Sequence, residues 1–223
     1  MPPVEEKSLS DPYATVARCY GTCLDPIIIR WKKKALKLRP PRNGMPVLDV
    51  GCGTGAQLKL YRPYGCRVFG IEMSAGMIAA ARQKSEGSLN LCRGNAAGMP
   101  YRDQTFELLL LSMMLHEIPP DMRSAVLSET GRVLKDSGRI LIIDYHVGRI
   151  NLPGRLVKGV ITLIEMAAGR AHFENYRNFR KSGGLPPLLI NHRLTVERRE
   201  VAARGNIVLY LLRKDSGRDN LSI

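Results

Sequence analysis

Residues 47–55 read VLDVGCGTG, and this stretch is the best starting point for interpreting the chain. Residues 47–50 are apolar except for Asp49 and predict a buried strand. Three glycines, Gly51, Gly53 and Gly55, follow in the spacing G-x-G-x-G, where a helix is expected to begin. Glycine is required where the backbone takes unusual dihedral angles or lets a ligand approach closely. The stretch therefore predicts a strand that runs into a ligand-binding loop.

Two carboxylates near this loop indicate which kind of ligand it holds. Glu72 follows Gly55 by 17 residues, at the end of the second predicted strand, where a carboxylate can accept both hydroxyls of a ribose. Asp49 comes just before the glycines, where it can attract a cationic amino-acid group. A nicotinamide-binding loop would instead have the spacing G-x-G-x-x-G and direct a helix N-terminus at a pyrophosphate. The pattern favours an adenosyl ligand over a nicotinamide cofactor.

Short apolar runs alternate with helix-length segments between Val47 and Tyr145. The runs predict strands at residues 47–51, 67–72, 89–93, 106–112 and 139–145. The segments between them predict helices at residues 56–61, 75–84 and 120–134, with a turn at residues 135–138. Strands and helices that alternate in this way build a parallel sheet with helices on both faces.

The end of the chain departs from this alternation. Residues 194–203 and 206–213 are rich in Val, Ile, Leu and Thr, and the Arg204-Gly205 connection is too short for a crossover helix. These two segments predict an antiparallel hairpin. The expected fold is therefore an α/β, Rossmann-like sheet of seven strands, mostly parallel, with an antiparallel C-terminal hairpin and helices on both faces.

The glycine loop resembles the first motif of class I S-adenosylmethionine-dependent methyltransferases, and four further motifs follow it in the family's order. Residues 70–78 resemble the acidic second motif, and residues 94–101 the segment that contacts adenine. Residues 106–112 with 115–117 resemble the fourth strand, and residues 132–139 the turn before the fifth. Within the family, the chain is similar to the quinone and phospholipid methyltransferase-like (methyltransferase type 11) group.

The resemblance implies one methyltransferase domain over residues 1–223. It would comprise a helical cap (1–46), a cofactor-binding core (47–148), a helical lid or substrate insertion (149–193) and the hairpin (194–213). Residues 13–20 and 27–34 resemble N-terminal helices that cover the cofactor in quinone and phospholipid methyltransferases.

The resemblance also implies S-adenosylmethionine as cofactor, S-adenosylhomocysteine as product, and a role for each matching residue. Backbone groups of Gly51, Cys52, Gly53 and Gly55 would line the methionine part, with Asp49 near its amino group. Glu72 would hold the ribose, while Met73 and Met77 pack on the adenine. Asn95 and Ala96 would meet the adenine edge, and Ser112 would lie beneath the methionine moiety. Family members often have Asp in place of Asn95, but an amide can both donate and accept hydrogen bonds.

Methyl transfer from a sulfonium is an in-line displacement, so positioning and water exclusion supply much of the catalysis. A general base helps only when the acceptor must lose a proton. Ligands bind at the carboxyl ends of strands in open α/β sheets, so the candidates are His116, Tyr145 and His146. The alternative for His116 is a supporting role beneath the cofactor loop.

Several acceptors and ligands are excluded or disfavoured. Residues 112–115 read SMML, which lacks the Asp/Asn-Pro-Pro-Tyr/Phe pattern of methyltransferases that act on flipped-out bases. Four histidines without a close His, Asp or Glu cluster along the sequence predict no metal site. Five scattered cysteines exclude a secreted disulfide scaffold. With neither a signal peptide nor a run of about 18 apolar residues, we expect a soluble, cytoplasmic protein.

The formal charge of +14 is concentrated at the two ends of the chain. Residues 1–46 carry nine Lys and Arg against four acids, residues 47–148 eleven against ten, and residues 149–223 fourteen against six. Basic flanks favour an anionic partner, which can be a phospholipid surface, a nucleic acid or an acidic small molecule. The alternative is a solvated surface that maintains solubility.

Residues 152–168 predict a strongly amphipathic helix with Arg155, Lys158, Thr162 and Glu165 on its polar face. Together with the lysines at 32–34, this helix can form a face for the inner surface of an anionic membrane, or it can pack as a lid. The first hypothesis is methyl transfer to a small-molecule or lipid-like acceptor, with a phospholipid amine or a quinol favoured. The alternative is a nucleic-acid-binding or RNA-modifying protein with the same fold.

Overall fold

The computed structural model describes residues 25–215. They contain seven strands, which are β1 (Pro46–Val50), β2 (Arg67–Glu72), β3 (Asn90–Arg93), β4 (Phe106–Ser112), β5 (Leu134–Tyr145), β6 (Leu194–Ala202) and β7 (Ile207–Lys214). All seven form one sheet in the order β3-β2-β1-β4-β5-β7-β6. The pairs among β1 to β5 are parallel, whereas β7 pairs antiparallel with both β5 and β6. The predicted fold class is confirmed.

Seven α-helices surround this sheet within the described residues. They are α1 (Asp25–Leu38), α2 (Leu58–Tyr61), α3 (Ala75–Lys84), α4 (Pro120–Val133), α5 (Leu152–Ala167), α6 (Arg170–Lys181) and α7 (Leu185–Asn191). None of these helices is both long and apolar enough to cross a bilayer. Residues 13–20, predicted to form a covering helix, lie outside the described part of the chain.

The core lies around the central strands β1 and β4. Every residue of β1 is buried, and the four leucines at 108–111 in β4 are at most 1% exposed. Parallel strands covered on both faces read as continuous apolar runs, because neither face meets water. This is why the sequence of β4, FELLLLS, shows no alternation of apolar and polar residues.

One predicted turn is wrong. Residues 135–138 belong to β5, which begins directly after α4 ends at Val133. Leu134 pairs with Phe106 and Arg139 with Leu108, so the four residues between them bulge out of the ladder opposite Glu107. Leu134 is fully buried and has an extended backbone conformation. Its pairing with Phe106 in the sheet, rather than a separate turn, therefore ends α4.

The C-terminal hairpin also anchors α5. A single 3-10 turn at Ala203–Gly205 joins β6 to β7. The Asn206 side chain donates a hydrogen bond of 2.9 Å to the carbonyl of Gly154 in the first turn of α5. Asn151 caps the same helix by accepting from the backbone N–H of Gly154 at 2.9 Å. The start of α5 is thereby attached to the hairpin.

Candidate active site

A cavity opens at the carboxyl ends of β1, β2 and β4. The strand order places β1 between β2 and β4, so the chain reverses direction across the sheet here, and open α/β sheets bind ligands at such a point. Most of the predicted cofactor-binding residues line this cavity: Gly51, Cys52, Gly53, Glu72, Met73, Met77, Asn95, Ala96 and Ser112.

The three glycines of the loop have different roles. All three have positive φ, at 68° for Gly51, 51° for Gly53 and 70° for Gly55. A Cβ on Gly53 would meet nothing within 4 Å, so this position leaves open space beside the chain. A Cβ on Gly55 would lie 2.7 Å from Leu89 Cδ1. Gly55 therefore packs against the neighbouring segment, and the structure does not bring it to the cavity wall.

Glu72 is held by the backbone of the two loops that flank the cavity. Its Oε2 accepts from the N–H of Gly53 at 3.1 Å, and its Oε1 accepts from the N–H of Ser74 at 2.9 Å. Each carboxylate oxygen keeps further acceptor capacity. Glu72 thus connects the glycine loop to the start of α3 and presents a fixed carboxylate to the cavity.

Asp49 does not line the cavity, but two buried polar atoms near the glycine loop in sequence have no hydrogen-bond partner among residues 25–215. They are Asp49 Oδ1 and Gln57 Nε2. Gln57 accepts from the hydroxyl of Ser112 through its other amide atom. Burial raises the pKa of Asp49 to about 7, with Lys32 opposing this shift and Glu72 adding to it. An unpaired acceptor and an unpaired donor fit a ligand that carries both an ammonium and a carboxylate group.

The two methionines predicted to contact an adenine differ in exposure. Met73 is 64% exposed at the rim of the cavity, whereas Met77 is only 5% exposed. Asn95 accepts from the backbone N–H of Ala97 at 2.9 Å. Its amide is therefore oriented by a local turn, beside the rim where Met73 offers an apolar surface.

A second set of residues lines the cavity, and of these the sequence predicted only those of the covering helix at residues 27–34. From α1 come Ile28 and Lys32, and from the segment after β4 and from α4 come Met113, Met114, Glu117, Ile118, Met122 and Val126. Two features of the sequence could have identified these residues. Residues 113–118 come directly after β4, and the four-residue spacing of Met122 and Val126 puts both on one face of α4. This side of the cavity is largely apolar.

The candidate catalytic residues do not line the cavity. His116 is 1% exposed, and its Nδ1 lies 2.7 Å from Asp144 Oδ1. Burial lowers the pKa of His116, but the carboxylates of Asp144, Glu117 and Glu165 raise it more, to about 9. His116 is therefore placed for the supporting role, and its neighbour Glu117 is the side chain that reaches the cavity.

Tyr145 and His146 are also engaged elsewhere. The Tyr145 hydroxyl donates to Glu165 Oε1 at 2.6 Å, and burial raises the pKa of Tyr145 far above its usual range. His146 Nδ1 donates to the carbonyl of Gly205 at 2.9 Å, and Arg199 donates to its Nε2 at 2.9 Å. His146 thus stabilises the hairpin rather than facing the cavity.

The expectation that histidines and carboxylates form no close cluster is wrong. His116 and Glu117 follow β4, and α5 and α6 bring Glu165 and His172 next to them. Glu165 lies 48 residues after Glu117 in sequence, so spacing along the chain does not reveal this proximity. Tertiary packing alone assembles the cluster.

Comparisons with known proteins find methyltransferases. A family model described as "Methyltransferase domain" matches residues 48–142. A demethylmenaquinone methyltransferase of Shouchella clausii is 27% identical over 186 residues, which cover 78% of each chain. A demethylmenaquinone methyltransferase of Listeria monocytogenes is 34% identical over 134 residues. This match covers 56% of this chain and 54% of the relative, so the chain spans about half the length of that relative. A crystal structure of a SAM-dependent methyltransferase from Aquifex aeolicus has a TM-score of 0.60 at 20% identity, covering 82% of this chain and 89% of that one.

Proposed function

Because this chain belongs to the class I S-adenosylmethionine-dependent methyltransferases, we propose that it methylates a small, lipid-like acceptor, with a quinol favoured. The observation that carries this proposal is the apolar wall beside the cofactor loop, formed by Met113, Met114, Ile118, Met122 and Val126. Such a wall suits a ring with an aliphatic substituent. Relatives named demethylmenaquinone methyltransferase support a quinone-derived acceptor.

The cofactor, when bound, supplies an electrophilic sulfonium methyl group. We assign Asp49 Oδ1 to its ammonium group and the Gln57 amide to its carboxylate, since these atoms are buried and unpaired among residues 25–215. Glu72 accepts from the ribose hydroxyls, and its bonds to the Gly53 and Ser74 N–H groups hold it in place. Met73 and Met77 pack on the adenine beside Asn95.

Glu117 is the group that orients the acceptor and takes its proton. It lies in the cavity wall among apolar side chains and 3.8 Å from His116 Nε2. A quinol hydroxyl that gives its proton to this carboxylate would make a ring carbon more electron-rich. That carbon would take the methyl group as the sulfur–methyl bond breaks and S-adenosylhomocysteine leaves. The ring carbon would then lose its own proton to water, and the hydroxyl would regain a proton from Glu117. His116, held by Asp144, is a positioning residue behind Glu117.

We also propose that α5 contacts an anionic membrane. On its polar face Glu165 is 4% exposed, Lys158 and Thr162 are half-buried and Arg155 is exposed, while Leu152, Leu156, Val160 and Leu163 are 59–72% exposed in one stripe. Arg155, three residues after Leu152 and next to Leu156, is exposed and supplies a cation beside this stripe. An aliphatic stripe with flanking cations suits a membrane interface. Of the lysines at 32–34, Lys32 lines the cavity and Lys34 pairs with Glu200, which leaves Lys33 as the exposed lysine available to such a face.

A phospholipid amine is the second candidate acceptor, favoured by the same cationic surface. The nucleic-acid alternative gains no support, since the relatives reported above are named for demethylmenaquinone methylation. Both acceptors would reach the cavity from a lipid phase, whereas an RNA would not.

The test is transfer of a labelled methyl group from S-adenosylmethionine to defined acceptors. Separate reactions would contain chemically reduced demethylmenaquinone in vesicles, phosphatidylethanolamine vesicles, or RNA. We expect labelled quinol, with a lower kcat for Glu117→Gln and unchanged activity for Glu174→Gln, whose side chain is 59% exposed on α6. Label only in RNA, or no labelled acceptor from folded protein that binds the cofactor, would overturn the proposal.

A further inference from the structure

A buried group of histidines and carboxylates lies behind the cavity wall. One ligand atom each from His116, Glu117 and His172 lies within 4.8 Å of the other two. The fourth member, Glu165, has its Oε1 3.7 Å from His116 Nε2 and its Oε2 2.6 Å from His172 Nε2. Residues from the end of β4, from α5 and from α6 thus converge on one point.

The orientation of His116 is fixed for an additional ligand. Its Nδ1 is engaged by Asp144 Oδ1 at 2.7 Å, and Asp144 also accepts from the backbone N–H groups of Leu115 and Tyr145. Because Nδ1 carries the proton in this bond, Nε2 is free of the Asp144 contact and points toward Glu117 and Glu165. A histidine that donates to a carboxylate through one nitrogen and presents the other is the usual arrangement of a metal-ligating imidazole.

The charges of the cluster also favour a cation. Glu165 and Asp144 are at most 5% exposed by side chain and Glu117 is 15% exposed, so three carboxylates share a poorly solvated volume. Buried carboxylates are costly unless cations or hydrogen-bond donors compensate them. The Tyr145 hydroxyl and His172 each donate one hydrogen bond to Glu165. A dication in their midst would compensate the remaining charge.

We propose that His116, Glu117 and His172 form a binding site for a divalent transition-metal ion such as Zn²⁺, with Glu165 as a further carboxylate beside it. Two imidazoles and a carboxylate favour Zn²⁺ and similar ions over Mg²⁺ or Ca²⁺, which prefer oxygen ligands alone. Ligand atoms about 2.1 Å from a tetrahedral ion lie about 3.4 Å apart. The His116 and Glu117 atoms, 3.8 Å apart, are already near that spacing.

The location gives such an ion two consequences. It would attach α5 and α6 to the end of β4, because its ligands come from these separate elements. It would also stand at the cavity wall, since Glu117 lines the cavity. The ion would displace the ring proton on each imidazole nitrogen that it binds, including the proton that His172 shares with Glu165, so its binding would release protons. The relevance of the ion to the acceptor at the cavity wall rests on the proposed function, whereas metal binding itself does not.

The experiment uses tag-free, metal-stripped protein titrated with Zn²⁺, with the stoichiometry checked by elemental analysis. We expect one equivalent to bind and the melting temperature to rise, and we expect bound Co²⁺ to give visible d–d absorption. His172→Gln and Glu117→Gln should each weaken Zn²⁺ binding at least about tenfold, the effect of losing even an outer-shell partner. His192→Gln is the matched control, because that histidine contacts Ser124 outside the cluster.

S-adenosylmethionine binding to each variant confirms that it is folded, and it separates this proposal from the proposed function. Equal Zn²⁺ affinity in wild type and His172→Gln would overturn the site, as would the absence of stoichiometric binding to wild-type protein that binds the cofactor. Loss of Zn²⁺ binding with methyl transfer unchanged would retain the site and remove its link to the acceptor.

Discussion

Asp49 is a carboxylate that the fold buries beside a glycine loop, and this burial makes ligand binding dependent on pH. Burial raises the pKa of Asp49 to about 7, from an ordinary value of 3.8. The folded state therefore holds this proton more tightly than the unfolded state, and the contribution of Asp49 to stability falls as pH rises from about 4 to about 7. A ligand ammonium favours the ionised form, so binding has the opposite dependence.

We therefore expect the affinity for S-adenosylmethionine to increase as pH rises from 5.5 to 7, by up to about tenfold per unit. Asp49→Asn removes the titrating group, so its affinity should be lower and nearly flat over this range. Isothermal titration calorimetry in buffers of different ionisation enthalpy measures both affinity and proton release. The same pH dependence in both proteins would show that Asp49 does not contact the ligand ammonium.

Glu72 gives a second prediction for a single side chain. Glu72→Ala should weaken S-adenosylmethionine binding by about 1–3 kcal/mol, because a charged acceptor for ribose hydroxyls is lost. The N–H groups of Gly53 and Ser74 would lose their acceptor as well. Calorimetric affinities are compared with those of Glu107→Ala, a strand acid at the opposite end of β4 with a 26% exposed side chain. Equal affinities in the two variants would refute the ribose assignment.

The cofactor side of the cavity was predictable from sequence because its residues lie in short motifs. Gly51 and Gly53 come within three residues after β1 and Glu72 is the last residue of β2, so their position along the chain also gives their position at the sheet edge. The acceptor side was not predictable in this way. Glu165 and His172 reach His116 only through the packing of α5 and α6, which no local spacing encodes.

Among the elements, α5 shows what periodicity leaves undetermined. The sequence predicted the helix and its two faces, and the structure has it at Leu152–Ala167. Periodicity does not tell which face is inward. Here Glu165 turns inward, where Tyr145 and His172 stabilise it, whereas Arg155 of the same polar face and the aliphatic stripe are exposed. The bulge in β5 is similar, since only its pairing with β4 distinguishes it from a turn.

Two glycines in α5 allow a matched pair of substitutions. A Cβ on Gly154 would lie 2.3 Å from the carbonyl oxygen of Arg204, whereas one on Gly159 would meet nothing within 4 Å. Gly154→Ala should therefore destabilise the protein by about 1–3 kcal/mol, because the helix must move away from the hairpin. Gly159→Ala should stabilise it by up to about 1 kcal/mol through helix propensity. Urea unfolding distinguishes them, and equal effects would mean that α5 does not pack against the turn.

Across the whole molecule, apolar and basic surfaces coincide on the C-terminal part of the chain. Residues 149–223 carry fourteen Lys and Arg against six acids, and they include the exposed stripe of α5. The core at residues 47–148 is nearly neutral, with eleven against ten. Residues 1–46 are basic as well, but only the C-terminal part combines excess positive charge with an exposed apolar helix, and this is the part that we propose faces an anionic surface.

This orientation predicts how the protein distributes between vesicles and solution. Each basic residue near an anionic bilayer contributes about 1 kcal/mol, and this attraction is screened by salt, whereas burial of leucines is not. The protein should sediment with phosphatidylglycerol vesicles at low salt, be partly released at high salt, and bind phosphatidylcholine vesicles weakly.

The double variant Leu156→Gln with Leu163→Gln should reduce vesicle binding at every salt concentration without lowering the melting temperature, because these side chains are 72% and 66% exposed. Tyr64→Gln, 56% exposed before β2, should bind as wild type does. Wild-type protein that stays in solution with anionic vesicles at low salt would identify α5 as a lid over a soluble acceptor.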